Sequence, residues 1–406
     1  MFLYIFLGIY LFAEFFDIFL SRLNLNYSTS PLREIPHEMK NEITWHEFEK
    51  SKEYTADKNL ISFASHILTV IANILFIIFI FPYVENYIVN LTDNLIYQSF
   101  MFFGFFGIIN YIISLPFSYF NTFKIEQKYG FNKTTKKTFI IDNIKSIVLS
   151  AVLGAGIIYL IMKGIQAFEN WWIIVSLIII SIQFIAIWLY PKFIMPLFNK
   201  FSPLENESLK NKLVKIANDA GFDVSKIQVM DASKRTGHSN AFFSGFGKTK
   251  KIVLFDTLLE EHDEDEIEAI FAHEAGHYKL NHIMKNMFIS IFLMVGIVVL
   301  VFFITESNLL TETFGVEKVY TKLTYAFIFA GSVFNFVGYI LSAMSRKHEF
   351  EADNYSKKYK DPKHLIRALK KLTKSNLSNL NPHPLYAKLN YSHPTLVERI
   401  KNLKKS

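Results

Sequence analysis

The chain contains no cysteine. That excludes disulfides, thiolate zinc ligands and a cysteine nucleophile, so any zinc would be held by histidine and carboxylate side chains. Arginine is scarce beside lysine, and Ile, Asn and Phe are abundant, a composition that points to a low-GC bacterial source. Internal repeats and low-complexity linkers are missing. So is an aromatic-interleaved basic patch of the kind that binds nucleic acid, and no nucleic-acid partner is expected.

What the chain has in excess is apolar surface. Of its 406 residues 51% are hydrophobic and 42 are Phe, more than a water-soluble chain easily keeps off its surface. Seven stretches are apolar enough to span about 30 Å of hydrocarbon: 1–20, 63–83, 98–118, 145–165, 172–192, 285–304 and 322–344. The first carries Glu14 and Asp17. Ionisable residues in a span either face a bundle interior or snorkel from its end. This span has no basic n-region and no Ala-x-Ala, and its Arg22 follows the apolar run, so it reads as an anchor and not as a signal peptide.

Loop charge predicts the orientation. The connection 21–62 carries Arg22, Arg33, Lys40, Lys50, Lys52 and Lys58, and 119–145 carries Lys124, Lys128, Lys133, Lys136, Lys137 and Lys145. Segments 93–97 and 166–171 carry neither lysine nor arginine, and 305–319 carries Lys318 alone. By the positive-inside rule the first set is cytoplasmic, with the N terminus outside and the C terminus inside. The net charge of +7 therefore reflects membrane topology.

Residues 273–277 read His-Glu-Ala-Gly-His. On a helix His273 and His277 share a face and can reach one metal ion, while Glu274 points beside them. Zinc with three protein ligands keeps a fourth position for water, whose pKa falls from about 15.7 to about 7, and a nearby carboxylate can then take its proton. By chance an HExxH arises in roughly one such sequence in fifty, so the motif alone does not exclude two ordinary helical histidines. A third ligand is offered by Ser345-Arg346-Lys347-His348-Glu349-Phe350-Glu351-Ala352-Asp353, where Glu349 and Asp353 share a face. Glu349 could ligate while Asp353 orients a ligand imidazole. Alone, Glu349 would read as a solvated helix carboxylate.

The segment between the fifth and sixth spans has ordinary globular patterning. Leu209, Leu213, Ile216, Ala217 and Ala220 line one face of a helix at 205–220, which Gly221 stops. A strand at 227–231 follows, then a hairpin of 240–244 and 251–255 around Gly245, Gly247 and Lys248. First-turn carboxylates favouring the helix N terminus explain the acidic run Glu260–Glu266.

HEAGHYKLNH, SRKHEFEAD, HSNAFFSGFGKTKKIVLFDTLL, NTFKIEQKYGFN and YSHPTLVERI together resemble the integral-membrane zinc metallopeptidases of the CAAX prenyl protease type 1 family. The resemblance is collinear from about residue 52 onward and weak over the first 50 residues. It implies an all-α polytopic fold, with seven transmembrane helices enclosing an intramembrane chamber and a small α+β cytoplasmic metalloprotease portion. It also implies one zinc per chain held by His273, His277 and Glu349, with Glu274 as general base. His393 matches a residue that stabilises the oxyanion, Arg399 is its motif partner, and the segment around Asn240 and Ala241 resembles an edge strand that receives substrate. Such a strand holds an extended peptide through main-chain hydrogen bonds.

The organisation expected is transmembrane helices with cytoplasmic loops over 1–198 and a soluble metalloprotease segment over 199–284. The last two spans follow over 285–344, and a cytoplasmic segment over 345–406 completes the zinc site. The implied activity is removal of the last three residues from a prenylated C-terminal tail at the cytoplasmic face of the membrane. The short stretch from Leu259 to His273, where eukaryotic members carry a longer acidic insertion, suggests a prokaryotic member and leaves the prenyl group open. The implied location is then the bacterial inner membrane, or the endoplasmic reticulum for a eukaryotic source. A membrane quality-control protease of the heat-shock type is the rival, but that family has fewer spans. An inactive scaffold or transporter would be expected to have lost a ligand or the base, and none is lost. Single cysteines are easily read in this chain. With an impermeant thiol reagent outside intact cells, Asn94→Cys should label while Lys133→Cys and Ser406→Cys stay dark; the reverse pattern would invert the topology.

Overall fold

The computed structural model describes residues 1–221, 227–244 and 251–405. Among them seven helices are long and apolar enough to cross a membrane. The first five are α1 (Phe2–Ser28), α2 (Trp45–Val89), α3 (Leu95–Tyr129), α4 (Lys136–Ala167) and α5 (Trp171–Phe198). After the globular helices α6 (Glu207–Ala220) and α7 (Glu264–Lys279) come the sixth and seventh, α8 (His282–Glu306) and α9 (Val319–Ser356). Helices α10 (Pro362–Ser375) and α11 (Leu396–Leu403) follow.

Each span contains its predicted apolar run or nearly all of it and extends beyond it, because a helix need not stop where hydrocarbon stops. The largest extension is in α2, which starts at a capping box: Thr44 Oγ1 accepts from the Glu47 amide, and the Glu47 carboxylate accepts from the Thr44 amide. At the other end of the chain α9 continues without a break from the apolar run through Glu349 and Asp353. Wide π-helical turns at Phe76–Ile80 and Tyr190–Ile194 lie beside Pro82 and Pro191, whose rings do not fit a regular α-helical ladder.

The spans bury little of one another. Between 0% and 28% of each apolar window is buried, as expected of helices ringing a hollow with lipid outside. A cavity of about 360 Å³ opens among α1, α2 and α9. It explains the ionisable residues of the first span. Asp17 accepts from the Asn335 amide (2.8 Å) and the Tyr339 hydroxyl (2.7 Å), and Glu14 lies 2.9 Å from His66. Both carboxylates therefore have interior partners. At one end of the bundle the rings of Phe6, Phe81, Phe106 and Tyr325 pack edge to face, with Phe102 tilted against Phe106.

The globular part carries a four-stranded sheet of β1 (Phe201–Pro203), β2 (Ile227–Met230), β3 (Ala241–Ser244) and β4 (Lys251–Phe255), ordered β1-β2-β4-β3. β3 and β4 pair antiparallel as predicted, with Ala241 opposite Leu254, and β4 runs parallel to β2. The predicted turn at Gly245, Gly247 and Lys248 lies outside the described residues. β1 was not predicted; three residues give too short a pattern. Among the described residues β3 has a partner on one side only and is an edge strand.

The acidic run does more than complement a helix dipole. Asp263 caps α7 in a capping box with Glu266, and Glu266, fully buried, accepts from Arg367 Nε (2.5 Å) and Lys371 Nζ (2.7 Å) of α10. Glu264 pairs with Lys212 of α6, and Asp265 with Lys360. Burial raises the Glu266 pKa, but its hydrogen bonds to Lys371, the Asp263 amide and Arg367 lower it further, so it stays ionised.

α7 packs most intimately against α9, and Gly276 is the reason. A Cβ there would stand 3.0 Å from Tyr355 Cβ and 3.1 Å from Ala352 Cα. Both obstacles lie close to the α9 backbone and cannot swing away. Gly276→Ala should therefore push the helices apart, lowering the melting temperature and weakening metal retention together. A variant with wild-type values of both would show that this approach is not needed.

Candidate active site

Three segments meet at the end of α9 distal to the aromatic cluster. α7 supplies His273 and His277 one turn apart, with Glu274 partly buried between them. α9 supplies Glu349 and Asp353, the loop into α11 brings His393, and α11 itself brings Arg399. His273 Nε2 and His277 Nε2 lie 3.3 Å apart. Glu349 approaches them at 3.4 and 3.2 Å through its two oxygens. Ligands about 2.05 Å from a tetrahedral zinc ion are about 3.3 Å apart, so this spacing fits such an ion. Two further observations agree. Glu349 Oε2 is buried without a hydrogen bond of regular geometry, and the carboxylates of Glu274, Glu349 and Asp353 face a single guanidinium, Arg399. The cluster is short of positive charge, as a cation site should be.

The surrounding contacts orient the ligands. His273 Nδ1 sits 2.9 Å from Asp353 Oδ1, and Arg399 grips Asp353 through Nε (3.0 Å) and a second, shorter contact. Arg399 also reaches to 3.7 Å from Glu349. It is buried where a solvated arginine would not be, with a side chain 11% exposed. His393 stands at 2.9 Å from Glu349 Oε2 and is largely exposed. It does not start the following helix: Thr395 is the cap, in a capping box with Glu398. The site thus brings together every residue singled out around the metal. Asn240 and Ala241 lie on the adjoining edge. Asn240 is exposed, its carbonyl accepts from the Phe255 amide (3.1 Å), and β3 packs on α7.

A second cluster was missed. His282, His348 and Glu351 converge beside the first, and His282 Nδ1 lies 3.0 Å from His277 Nδ1. Its members stand in the two motifs already quoted, HEAGHYKLNH and SRKHEFEAD. No single helix period joins them, because they come from two helices.

Burial favours neutral forms throughout the site. It raises the Glu274 pKa, with His273 and His277 pulling the other way, which brings this carboxyl nearer to the range of a working base. For His273 burial and Arg399 act to lower the pKa, but the close carboxylates of Asp353 and Glu349 outweigh them and raise it to about 9. In the metal-free protein this shift favours the protonated ring. A raised pKa contributes stability that is full below the unfolded value of about 6.5 and is lost as pH rises through about 9. Coordination needs the neutral ring, so zinc uptake near pH 7 should release about one proton from His273, and affinity should rise toward pH 9. Calorimetry in buffers of different ionisation enthalpy measures this; a binding heat independent of buffer would contradict it.

Comparison with known proteins identifies the family. Residues 26–200 match the family described as the CAAX prenyl protease N-terminal region, five membrane helices, and 203–406 match peptidase family M48. The chain is 36% identical over 399 residues to CAAX prenyl protease 1 of Saccharomyces cerevisiae, covering 90% of this chain and 87% of that protein. With the Arabidopsis thaliana homolog it shares 37% over 411 residues, covering 95% and 94%. The crystal structure of S. mikatae Ste24p superposes with a TM-score of 0.90 at 33% identity over 98% of each chain. The chain belongs to the CAAX prenyl protease 1 family and is an integral-membrane zinc metalloprotease with seven membrane helices.

Proposed function

We propose that the protein binds one zinc per chain through His273, His277 and Glu349, and uses it to cut an extended peptide laid along β3. The observation that carries this is the 3.2–3.4 Å convergence of three donors at the foot of α7 and α9. When bound, the ion polarises a carbonyl and acidifies a water. Glu274, about 100° around the helix from His273 and so free of coordination, takes the proton from the attacking water. His393 meets the charge that develops on the scissile oxygen, Arg399, its motif partner, holds Asp353, and Asp353 holds the His273 ring. The free edge of β3, from Ala241 onward with Asn240 at its start, receives the substrate main chain regardless of most side chains.

The substrate class is a lipidated or apolar C-terminal tail that loses its last three residues. The names of the relatives support this, as does the cavity of about 360 Å³ among α1, α2 and α9. The rival, quality control of misfolded membrane proteins, needs no such cavity. The charge of loops 21–62 and 119–145 supports a cytoplasmic active site. In a bacterium, which the composition favours, the membrane is the inner membrane; in a eukaryote it is the endoplasmic reticulum. The proposed division into 1–198, 199–284, 285–344 and 345–406 assigns the chamber to the first and third parts and the chemistry to the others.

Purified protein should release the terminal tripeptide from a farnesylated CAAX peptide, more slowly from the unfarnesylated one, and from neither with a chelator. Glu274→Gln should keep its zinc and lose roughly 10²–10⁴ in turnover, the usual worth of a general base. Equal cutting of both peptides would remove the lipid from the reading, and an active Glu274→Gln enzyme would remove the base.

A further inference from the structure

The missed cluster has a defined chemical job once hydrogens are assigned to it. If His277 binds the metal through Nε2, as proposed above, its other ring nitrogen must carry the proton. That N–H points at His282 Nδ1, 3.0 Å away. Two N–H groups cannot face each other at this distance, so His282 Nδ1 is the acceptor and a neutral His282 carries its hydrogen on Nε2. His282 Nε2 in turn lies 2.9 Å from Glu351 Oε2, an ionised acceptor. Every polar atom along the line then has one partner of the correct kind. The geometry points to His282 and Glu351 as positioning residues for His277, joined in a relay that fixes the tautomer and plane of the ring and makes it a stronger ligand.

The two ligand imidazoles are thereby held in parallel ways. The His273 Nδ1 proton goes directly to a carboxylate, Asp353. That of His277 goes to Glu351 through one intervening imidazole. Both carboxylates belong to α9, which also carries Glu349, so one helix supplies a ligand and the anchors of both others. His282 is built in firmly. It is 2% exposed and stacks on His348 with ring centroids 4.1 Å apart and planes inclined by 11°.

A second metal ion on His282, His348 and Glu351 is the competing reading, and the same assignment opposes it. His282 has no lone pair left, since Nδ1 accepts and Nε2–H donates. Moreover, the lone pairs of two nearly parallel stacked rings lie in separate planes and do not converge on one ion. The trio is better explained as part of the first site than as a second one.

The test compares zinc dissociation constants, measured by chelator competition, for the wild-type chain and four variants. His282→Phe keeps the stacked ring but removes the acceptor, and should weaken zinc roughly 10–100-fold, as loss of such outer contacts usually does. Its cobalt-substituted form should show a shifted visible spectrum, while the metal-free melting temperature stays near wild type. His282→Asn, which sets Oδ1 where the ring nitrogen stood, should recover most of the affinity. Glu351→Gln, on the partly exposed outer end, should cost up to roughly tenfold and answers the question even if His282→Phe does not fold. Wild-type affinity in both His282→Phe and Glu351→Gln overturns the relay. So does a second zinc equivalent that His282→Phe abolishes. His277→Ala is the control for the ligand reading itself: zinc retained there sinks that assignment, whereas zinc lost there with a normal His282→Phe sinks the relay alone.

Discussion

The site depends on one close approach, that of α7 to α9 across Gly276. Residues 273 and 349 can share an ion only if two helix backbones come nearer than side chains ordinarily allow, and the missing Cβ makes the room. Everything else secures that contact. Asp263 and Glu266 tie the start of α7 to α10, Glu264 ties it to α6, and Asp265 reaches Lys360. Individually such surface pairs contribute little, but Glu266 is fully buried and bound by two cations, so its loss of partners would leave a charge without solvent.

Much of this is legible in the sequence. The i, i+4 spacing of His273 and His277 is a property of the helix alone, and Glu349 and Asp353 share their face for the same reason. Hydropathy found all seven spans, even the first, where the family resemblance is weak. It misjudged their ends because it sees hydrocarbon and not helix. The start of α2 was nevertheless written in the chain, as Thr44-Trp45-His46-Glu47, a capping box hidden by the charged residues after it. In sequence the acidic run shows only dipole compensation, because its partners, Lys212, Lys360, Arg367 and Lys371, are remote along the chain.

The relay was illegible for a related reason. His282 belongs to α8 and Glu351 to α9, and no periodicity relates them to each other or to the metal. Only the turn at Leu280 and Asn281, with Asn281 in the left-handed region at φ 57°, swings α8 so that His282 faces back toward His277. Left-handed backbone suits Asn better than most side chains, and nothing in a hydropathy profile marks it.

Membrane span and catalytic site are one rigid body because α9 does not break at the membrane surface. The apolar run that faces the cavity through Asn335 and Tyr339 passes in the same helix into Glu349, Glu351 and Asp353. A group lodged in the cavity and a peptide on β3 are therefore registered against a common frame. Arg399 completes that frame from a distant segment, because buried Asp353 and Glu349 need a fixed positive charge whether or not a metal is bound. A guanidinium suits this better than an ammonium would. Its planar fork can satisfy Asp353 with two donors and leave a third toward Glu349, so the same residue neutralises the site and holds the ligand-orienting carboxylate in place.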